Sequence, residues 1–448
     1  MSKSILIIGG GIIGLSIAYY ATEKGHRVTV VERGGPTHDM ASLGNAGMIV
    51  PSHITPLAAP GMVQTGLRMM WNPESPFYIK PRLDGDLIDW GLKFMRACTP
   101  EHVAKSGPVF RNLSLASRQC YENWADEFGN VFGLVRKGLL ELSKTPESLH
   151  EAAHTAEQAR QLGIPAEVLT AEQVAQLEPN VRWDVLGGVY YPRDCHLSPM
   201  MLMSALTRHL EARGVQFLWN TKVVGWEEGK SQEPSAKNQE SRNKSQEYGD
   251  AKQVGLSTQG SALIFPKTAA GEMLRADEVV IAGGAFSPQV ARGLKLNLPM
   301  QGGKGYSLTL RQPQKLPVLC ALFAEARVAM TPMQGALRLG GTMEIAGLDP
   351  KINPARIRGI LKSVPKYMPE FTPDDFKDVQ PWAGFRPCSP DGLPYVGRSR
   401  NYANLSVATG HAMLGISLGP ITGKLMAQIL SDEQPEIDLT MLNPDRYL

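Results

Sequence analysis

Three glycines and one acid near the N-terminus carry the first chemistry in this chain. Gly9-Gly10-Gly11-Ile12-Ile13-Gly14 matches the spacing G-x-G-x-x-G, and Glu32 closes the run Arg27-Val28-Thr29-Val30-Val31-Glu32. Gly9 permits a tight turn, Gly11 lets the backbone approach a pyrophosphate, and Gly14 lets a helix pack close to a strand. The helix N-terminus offers free N–H groups and a positive dipole end to phosphates. A carboxylate placed as Glu32 is can accept both ribose hydroxyls and would repel a 2′-phosphate, which disfavours NADP. The pattern serves redox chemistry on an adenine dinucleotide. The alternative, a glycine-rich turn in an unrelated α/β fold, lacks the strand, helix, second strand and terminal acid that here fall in register.

Those residues need elements to hold them. Ser4 to Ile8 reads as a buried parallel strand, Ile12 to Glu23 as a helix that Gly25 stops, and Arg27 to Glu32 as a second strand. After Glu32 the βα alternation stops. Residues 34–80 are rich in Gly, Pro and Met, so the chain detours into another layer where a nicotinamide-binding domain would continue. Residues 85–130 and 146–178 read as amphipathic helix. Thr170-Ala171-Glu172-Gln173 has the form of a capping box. Ser198 reads as the cap of a helix with Pro199 in its first turn, followed by a strand from Val215 to Trp219. Residues 229–252 are too polar to bury a core and read as a mobile surface insertion without chemistry. Glu278 to Ala285 is again a buried strand ending in glycines. Leu405 to Ala408 is a strand leading through a glycine-flanked turn into a helix that ends near Leu430.

Bulk properties exclude several classes. The 448 residues suggest two to three domains. A net charge of +3 without a dense Lys/Arg run argues against nucleic acid. Five scattered cysteines give no disulfide framework or zinc motif and point to a reducing compartment; no metal site is expected. The apolar stretch Ile5 to Ala21 could pass for a signal peptide. It falls short of the ~20 residues of a spanning helix and is interrupted by glycines. No membrane span is expected.

Further motifs occur in a telling order: Ser42-x-x-Asn45-Ala46-Gly47, Val280-Ile281-Ala282-Gly283-Gly284, Trp382-Ala383-Gly384-Phe385-Arg386-Pro387, Ser389-Pro390-Asp391-Gly392-Leu393-Pro394 and Thr409-Gly410-His411. Together with the N-terminal turn they resemble the FAD-dependent amine and amino-acid oxidoreductases, which include D-amino acid oxidase, glycine oxidase and sarcosine oxidase. Gly303-Lys304-Gly305-Tyr306-Ser307-Leu308 and His411-Ala412-Met413-Leu414-Gly415 resemble the bacterial D-amino acid dehydrogenase branch. The likeness covers nearly the whole chain except the polar insertion.

The resemblance implies an α/β fold in which a discontinuous Rossmann-like FAD-binding domain (residues 1–55, 180–290 and 380–448) joins a mixed-sheet α+β substrate domain (56–179 and 291–379). It implies non-covalent FAD, because the position near Gly384 lacks the cysteine that carries flavin in sarcosine oxidase. Glu32 and Arg33 fall at the adenosine ribose, and Ile12 and Ile13 at the pyrophosphate. Ala41, Ser42, Ala46, Gly47 and Met48 lie along the flavin chain, with Val223 at the adenine and Ala282 and Gly283 beside the nucleotide. Met48 and Val223 have the alternative of being plain core residues. His411, Ala412 and Met413 line the flavin. Leu414, Gly415, Ile416 and Ser417 aim a helix N-terminus at the flavin N1–C2 edge, where it stabilises negative charge.

Arg386 takes the place of the family's carboxylate-binding arginine. A planar guanidinium grips a carboxylate through two parallel hydrogen bonds; the alternative is a structural ion pair. Tyr306 and Lys304 are further candidates for the active-site wall, and His196 and Cys388 read as structural. Met413 and Ala329 stand where glycine oxidase has an arginine and a tyrosine, which implies a more apolar pocket and a substrate larger than glycine or cyclic.

The implied reaction is oxidative deamination of a D-amino acid by hydride transfer from the α-carbon to flavin N5. The imino acid then hydrolyses to a 2-oxo acid and ammonia. Open beside it are a D-proline or hydroxy-D-proline dehydrogenase, a glycine/sarcosine-type amine oxidase, and a non-catalytic flavin subunit of a larger complex. The expected electron acceptor is a quinone or another carrier rather than NAD. The expected location is the cytoplasm, with contact at the inner face of the membrane left open.

Overall fold

The computed structural model describes residues 1–36, 40–69, 72–230 and 262–448. The strand Ser4–Ile8 forms as its unbroken apolar run requires, because both of its faces are covered. Parallel neighbours flank it: Arg27–Val31, in register Ser4↔Arg27 to Ile8↔Val31, and Glu278–Ile281, in register Ile5↔Glu278 to Ile8↔Ile281. The sheet has six strands in the order Tyr395–Arg398, Leu405–Thr409, Glu278–Ile281, Ser4–Ile8, Arg27–Val31 and Gln216–Leu218. All pairs are parallel except Tyr395–Arg398 with Leu405–Thr409. Segments from the beginning, middle and end of the chain therefore build one nucleotide-binding sheet.

Two helices cross one face of it. Ile12–Glu23 packs against Gly415–Leu430 at a spacing only glycine allows: a Cβ on Gly423 would stand 2.4 Å from the Ser16 backbone. Ala412–Leu430 is long and apolar enough to cross a membrane, but most of it is buried in this packing, as befits a core helix. Pro100–Glu127 lies over the same helix, and its Tyr121 hydroxyl donates to Ile416 O at 2.6 Å.

The second layer is a nine-stranded mixed sheet. Its path runs Trp382–Cys388, Gln301–Arg311, Ala336–Ile345, Val328–Met333, Cys320–Phe323, Leu139–Ser143, Gly187–Tyr191 and Glu167–Thr170, with Phe77–Ile79 pairing beside Ala336–Ile345. Helix Pro354–Tyr367 covers its outer face through Ile357, Ile360 and Val364. Two strands depart from the expected division of the chain. Gly187–Tyr191 and Trp382–Cys388 fall in segments assigned to the nucleotide domain, yet both pair within this second sheet.

Other sequence expectations shift for local reasons. The helix expected over 85–130 is two, Gly85–Ala97 and Pro100–Glu127, because Pro100 forces Thr99 into extended backbone, where its side chain caps the second helix. The helix expected over 146–178 is broken by Gly163, in the left-handed region at φ +75°, and Pro165. The strand Glu167–Thr170 follows, then the helix Ala171–Leu177 with the Thr170–Gln173 capping box in place. Ser198 stands at the N-cap position of Pro199–Ala212, but its side chain makes no capping bond. Of the polar insertion, Gly229 and Lys230 end the strand Val223–Lys230 and the remainder lies outside the described residues.

Candidate active site

A cavity of about 510 Å³ runs between the two sheets. Its nucleotide end begins at Gly9, whose φ of +124° and approach to Ala282 O leave no room for a side chain: a Cβ would stand 2.4 Å from that oxygen. Gly11 starts the helix, and the Ile12 N–H donates to Ser42 Oγ at 3.1 Å. Gly10 N donates to Glu32 Oε2 at 2.7 Å, which fixes the carboxylate at the strand end. The Arg33 guanidinium lies over the Phe286 ring, 3.4 Å from its centroid, and closes this end. Ile13, Ala41, Ala46, Met48, Ala282 and Gly283 complete the wall.

The loop that carries Ala41 to Met48 is clamped from the other sheet. Buried Arg338 donates from Nη1 to Leu43 O at 2.9 Å and to Asn45 O at 2.8 Å. Burial lowers its guanidinium to about 10, still charged at neutral pH. The Trp382 ring fills the space between two glycines: a Cβ on either Gly44 or Gly384 would come within 2.0 Å of it.

At the far end, His411, Ala412, Met413, Leu414, Gly415 and Ile416 line the cavity ahead of the helix Gly415–Leu430. Ala412 sits at φ +46°, which turns the chain into that helix. Thr422 spends its hydroxyl proton on Leu418 O, so His411 Nε2 donates to Thr422 Oγ1 at 2.9 Å. His411 Nδ1 is then a bare acceptor, buried without a partner among the described residues. Burial pushes the His411 imidazole down to about 3, so it stays neutral.

Arg386 enters from the strand Trp382–Cys388. Gly305 of the paired strand leaves the space it occupies: a Cβ there would stand 2.0 Å from Arg386 Nη1. A bulge shapes the opposite side. The pairing of Gln301–Arg311 with Ala336–Ile345 shifts between Lys304↔Glu344 and Tyr306↔Gly341, and Thr342 takes φ +68°. Arg386 Nη1 donates to Thr342 O at 2.6 Å. Among the described residues no carboxylate pairs with Arg386. Burial lowers its pKa, as for any cation kept from water.

Five of the residues singled out in the sequence do not line the cavity. Lys304 lies on the other face of its strand and donates to Asp349 O and Lys351 O beside Glu344. Tyr306 touches the cavity wall, yet its hydroxyl is turned away and donates to Glu344 Oε2 at 2.7 Å. Strand alternation explains both: Gly303, Gly305 and Ser307 share the face of Arg386, whereas Lys304 and Tyr306 oppose it. Val223 packs in the core beside Ile8 and Val31. Gly14 serves the close helix–strand approach, 1.9 Å from Gly9 O for a would-be Cβ, and Gly47 takes φ +75°. Ser417 accepts from Val50 N at 3.0 Å. Sequence reasoning missed Trp382 as a wall, Phe286 under Arg33, His53, and the cover formed by Met62–Met69 and Phe77. Trp382 had a signal in the glycine two residues on; the others had none.

The cavity therefore suits an extended dinucleotide, and its wall carries a guanidinium that pairs with no carboxylate among the described residues. The residues fit FAD. The Gly9 turn has no room for a side chain and would let a pyrophosphate approach, Glu32 at the strand end could accept ribose hydroxyls, and the orphaned His411 Nδ1 calls for an N–H or O–H donor of the kind the flavin and its ribityl chain offer. Among the described residues no group of three or more His, Cys, Asp or Glu is placed to hold a metal ion.

Fold and site define a nucleotide-binding oxidoreductase. Residues 4–429 match the family described as FAD dependent oxidoreductase, and the chain belongs to it. Its cofactor is FAD and it is an enzyme. It is 30% identical over 452 residues to a protein named D-amino acid dehydrogenase from Bradyrhizobium diazoefficiens, covering 99% of this chain and 98% of that one. It is 29% identical to a protein of the same name from Helicobacter pylori, covering 96% of each. Among solved structures it is similar to glycine oxidase from Geobacillus kaustophilus, with a TM-score of 0.74 at 23% identity over 100% of this chain and 99% of the other. L-proline dehydrogenase from P. horikoshii follows with a TM-score of 0.67 at 17% identity, over 100% and 98%.

Proposed function

We propose that this enzyme oxidises D-amino acids to imino acids, which hydrolyse in water to 2-oxo acids and ammonia. The observation that carries the reading is Arg386: a guanidinium at the cavity wall, held by Thr342 O and lacking a carboxylate partner among the described residues. It would take the substrate carboxylate by two parallel hydrogen bonds and so orient the α-carbon. FAD, when bound, supplies the acceptor for the α-hydride at its N5. The names of the relatives support the D-configuration. The helix Gly415–Leu430 would present its positive end to charge that develops beside Ile416.

A cyclic substrate such as D-proline is favoured by one feature, the apolar wall of Leu322, Ala329 and Met413. Anaerobic flavin bleaching with a panel of D- and L-amino acids tests cofactor, stereochemistry and side chain together. Bleaching by D-forms alone is expected. Bleaching by L-forms alone, or by none, overturns the reading, and ammonia release from D-alanine against D-proline separates acyclic from cyclic substrates. Electrons would leave to a quinone or similar carrier rather than NAD. The scattered cysteines support a cytoplasmic location, and contact with the inner face of the membrane would follow from a quinone acceptor.

A further inference from the structure

One carboxylate on the cavity wall has no task in the site described so far. Glu141 is partly buried on the strand Leu139–Ser143. Its neighbours Leu140 and Leu142 join the core under Pro354–Tyr367, so strand alternation turns Glu141 to the opposite face. That face is the cavity. The register runs Glu141↔Leu322, Leu322↔Ala329, Ala329↔Gly340, Gly340↔Ser307 and Ser307↔Trp382. Trp382 and Arg386 share that face, four residues apart on one strand. Glu141, Leu322 and Ala329 all line the cavity.

The carboxylate is underpaired. Among the described residues it takes one hydrogen bond, from the Tyr191 hydroxyl. At 3.5 Å that bond is long against the about 2.5–3.0 Å of an ordinary O–H···O contact. Burial pushes the Glu141 carboxyl up, and the Arg327 guanidinium, which also lines the cavity, opposes the shift. A leucine here would avoid the desolvation of an acid, so stability alone does not account for Glu141.

We propose that Glu141 selects the substrate by accepting a hydrogen bond from a hydroxyl on its side chain. The inference rests on the amino-acid reading above. Arg386 and Glu141 would hold the two ends of one molecule. The guanidinium sits at Thr342 O on Ala336–Ile345, and three strand spacings separate that strand from Leu139–Ser143, on the order of 14 Å between backbones. The glutamate side chain shortens that gap. What remains suits an amino acid with its carboxylate at Arg386 and a hydroxyl a few bonds beyond the α-carbon, each end closed by a hydrogen bond of about 3 Å. Leu322 and Ala329 lie between and suit the carbon skeleton. A hydroxyl fits better than a cationic side chain. Arg327 already stands near the carboxylate and would repel a second cation, whereas a hydroxyl brings no charge. A substrate without the hydroxyl would displace water from Glu141 and leave it unpaired, and that penalty makes such a site selective.

The experiment compares holoenzymes of wild type, Glu141→Leu and Glu141→Gln. It reads kcat/KM for two pairs of D-amino acids that differ by one hydroxyl: D-serine against D-alanine, and cis-4-hydroxy-D-proline against D-proline. The visible spectrum reports bound FAD. Wild type should prefer the hydroxylated member of at least one pair by roughly tenfold or more. Glu141→Leu should lose that preference, with kcat/KM roughly 10- to 100-fold lower for the hydroxylated member and no loss for the bare one. Glu141→Gln keeps an acceptor oxygen without the charge and should fall between the two. FAD content should match wild type in both variants. A wild type without preference in either pair overturns the proposal and leaves the amino-acid reading standing. A Glu141→Leu enzyme that loses both members of a pair equally also overturns it, since that marks a structural role or a hold on the α-ammonium. Loss of FAD in step with activity overturns it as well, and assigns Glu141 to the cofactor. If no D-amino acid reduces wild type, the functional reading fails first and this proposal falls with it.

Discussion

Replacing Arg386 with Ala is the most direct test of where the reaction takes place. Among the described residues the guanidinium has one hydrogen-bond partner, Thr342 O at 2.6 Å, and no acid beside it, so truncation leaves no orphaned charge behind. It exposes a single backbone carbonyl on a wall that water reaches when substrate is absent. The loss is therefore chiefly that of the charge-assisted pair to substrate, about 1.5–3 kcal/mol, which corresponds to roughly 10- to 150-fold in kcat/KM. FAD content should match wild type, because the residues proposed to hold the nucleotide, Gly9, Glu32 and His411, lie apart from Arg386 on other elements. Arg386→Lys keeps the charge but not the fork and should fall between the two. The assay is the anaerobic rate of flavin reduction across substrate concentrations, with the visible spectrum reporting bound FAD. A variant within twofold of wild type would remove Arg386 from the site; one that loses FAD in step with activity would make it structural.

Gly305→Ala puts a Cβ 2.0 Å from Arg386 Nη1, and the flexible guanidinium rather than backbone must move; KM should rise tenfold or more with little change in melting temperature. Gly9→Ala meets the Ala282 backbone at 2.4 Å in a left-handed conformation, so the protein should purify without yellow colour, and a fully loaded variant would refute the cradle. Acid should weaken the fold between pH 6.5 and 4. Burial holds His53 and His196 down at about 4 and His411 at about 3, so each contributes stability above the unfolded value of 6.5 that is lost as pH falls toward its folded value. Each histidine is worth an upper bound of roughly 3–5 kcal/mol. Asp194, raised to about 7, works in the opposite sense by roughly 4 kcal/mol, fully present below 3.8 and lost as pH rises through 7. Urea midpoints at pH 7.5 and 4.5 should therefore drop, and a midpoint that rises would show that the histidines are hydrated.

The sequence made the nucleotide end plain and the substrate end opaque. The N-terminal strand, helix and second strand are local structures with strict patterns, and the glycines there have no freedom to be anything else. The first strand and the helix have the expected boundaries, and the second strand ends at Val31, one residue before Glu32. The nine-stranded sheet gave no such pattern. Its two longest strands, Gln301–Arg311 and Ala336–Ile345, are interrupted by glycines, and its strands pair across long separations, so which face each side chain takes depends on register. Lys304 and Tyr306 were candidates on the resemblance, and strand alternation turns both away from the face of Arg386, while the bulge at Thr342 sets which carbonyl of Ala336–Ile345 meets its guanidinium. The cap at Thr170 was legible because Gln173 completes it, whereas Ser198 had the right type and position but makes no bond.

Polar clamps as well as apolar packing hold the nucleotide end of the cavity in register with Arg386. The sheets have separate cores, one around Ile7 and Val30 and another around Leu308 and Met330. What joins them at the cavity is the stretch from Met40 to Leu57. Ser42 accepts from the first helix, Arg338 holds Leu43 O and Asn45 O from the second sheet, Ser417 accepts from Val50 N, and Ser52 is held by Asp194. Each of these bonds is directional where packing is not, and a shift of about 1 Å between reacting atoms costs on the order of a hundredfold in rate. Burying Arg338 among carbonyls is expensive, since neutral groups compensate a charge only in part. The expense is consistent with a position that needs register more than it needs stability. It also fits the chain's departure from βα alternation after Glu32: a further crossover helix would cover the nucleotide sheet, whereas this loop lays polar contacts along the cavity between the Gly9 end and the Arg386 guanidinium proposed to take the substrate.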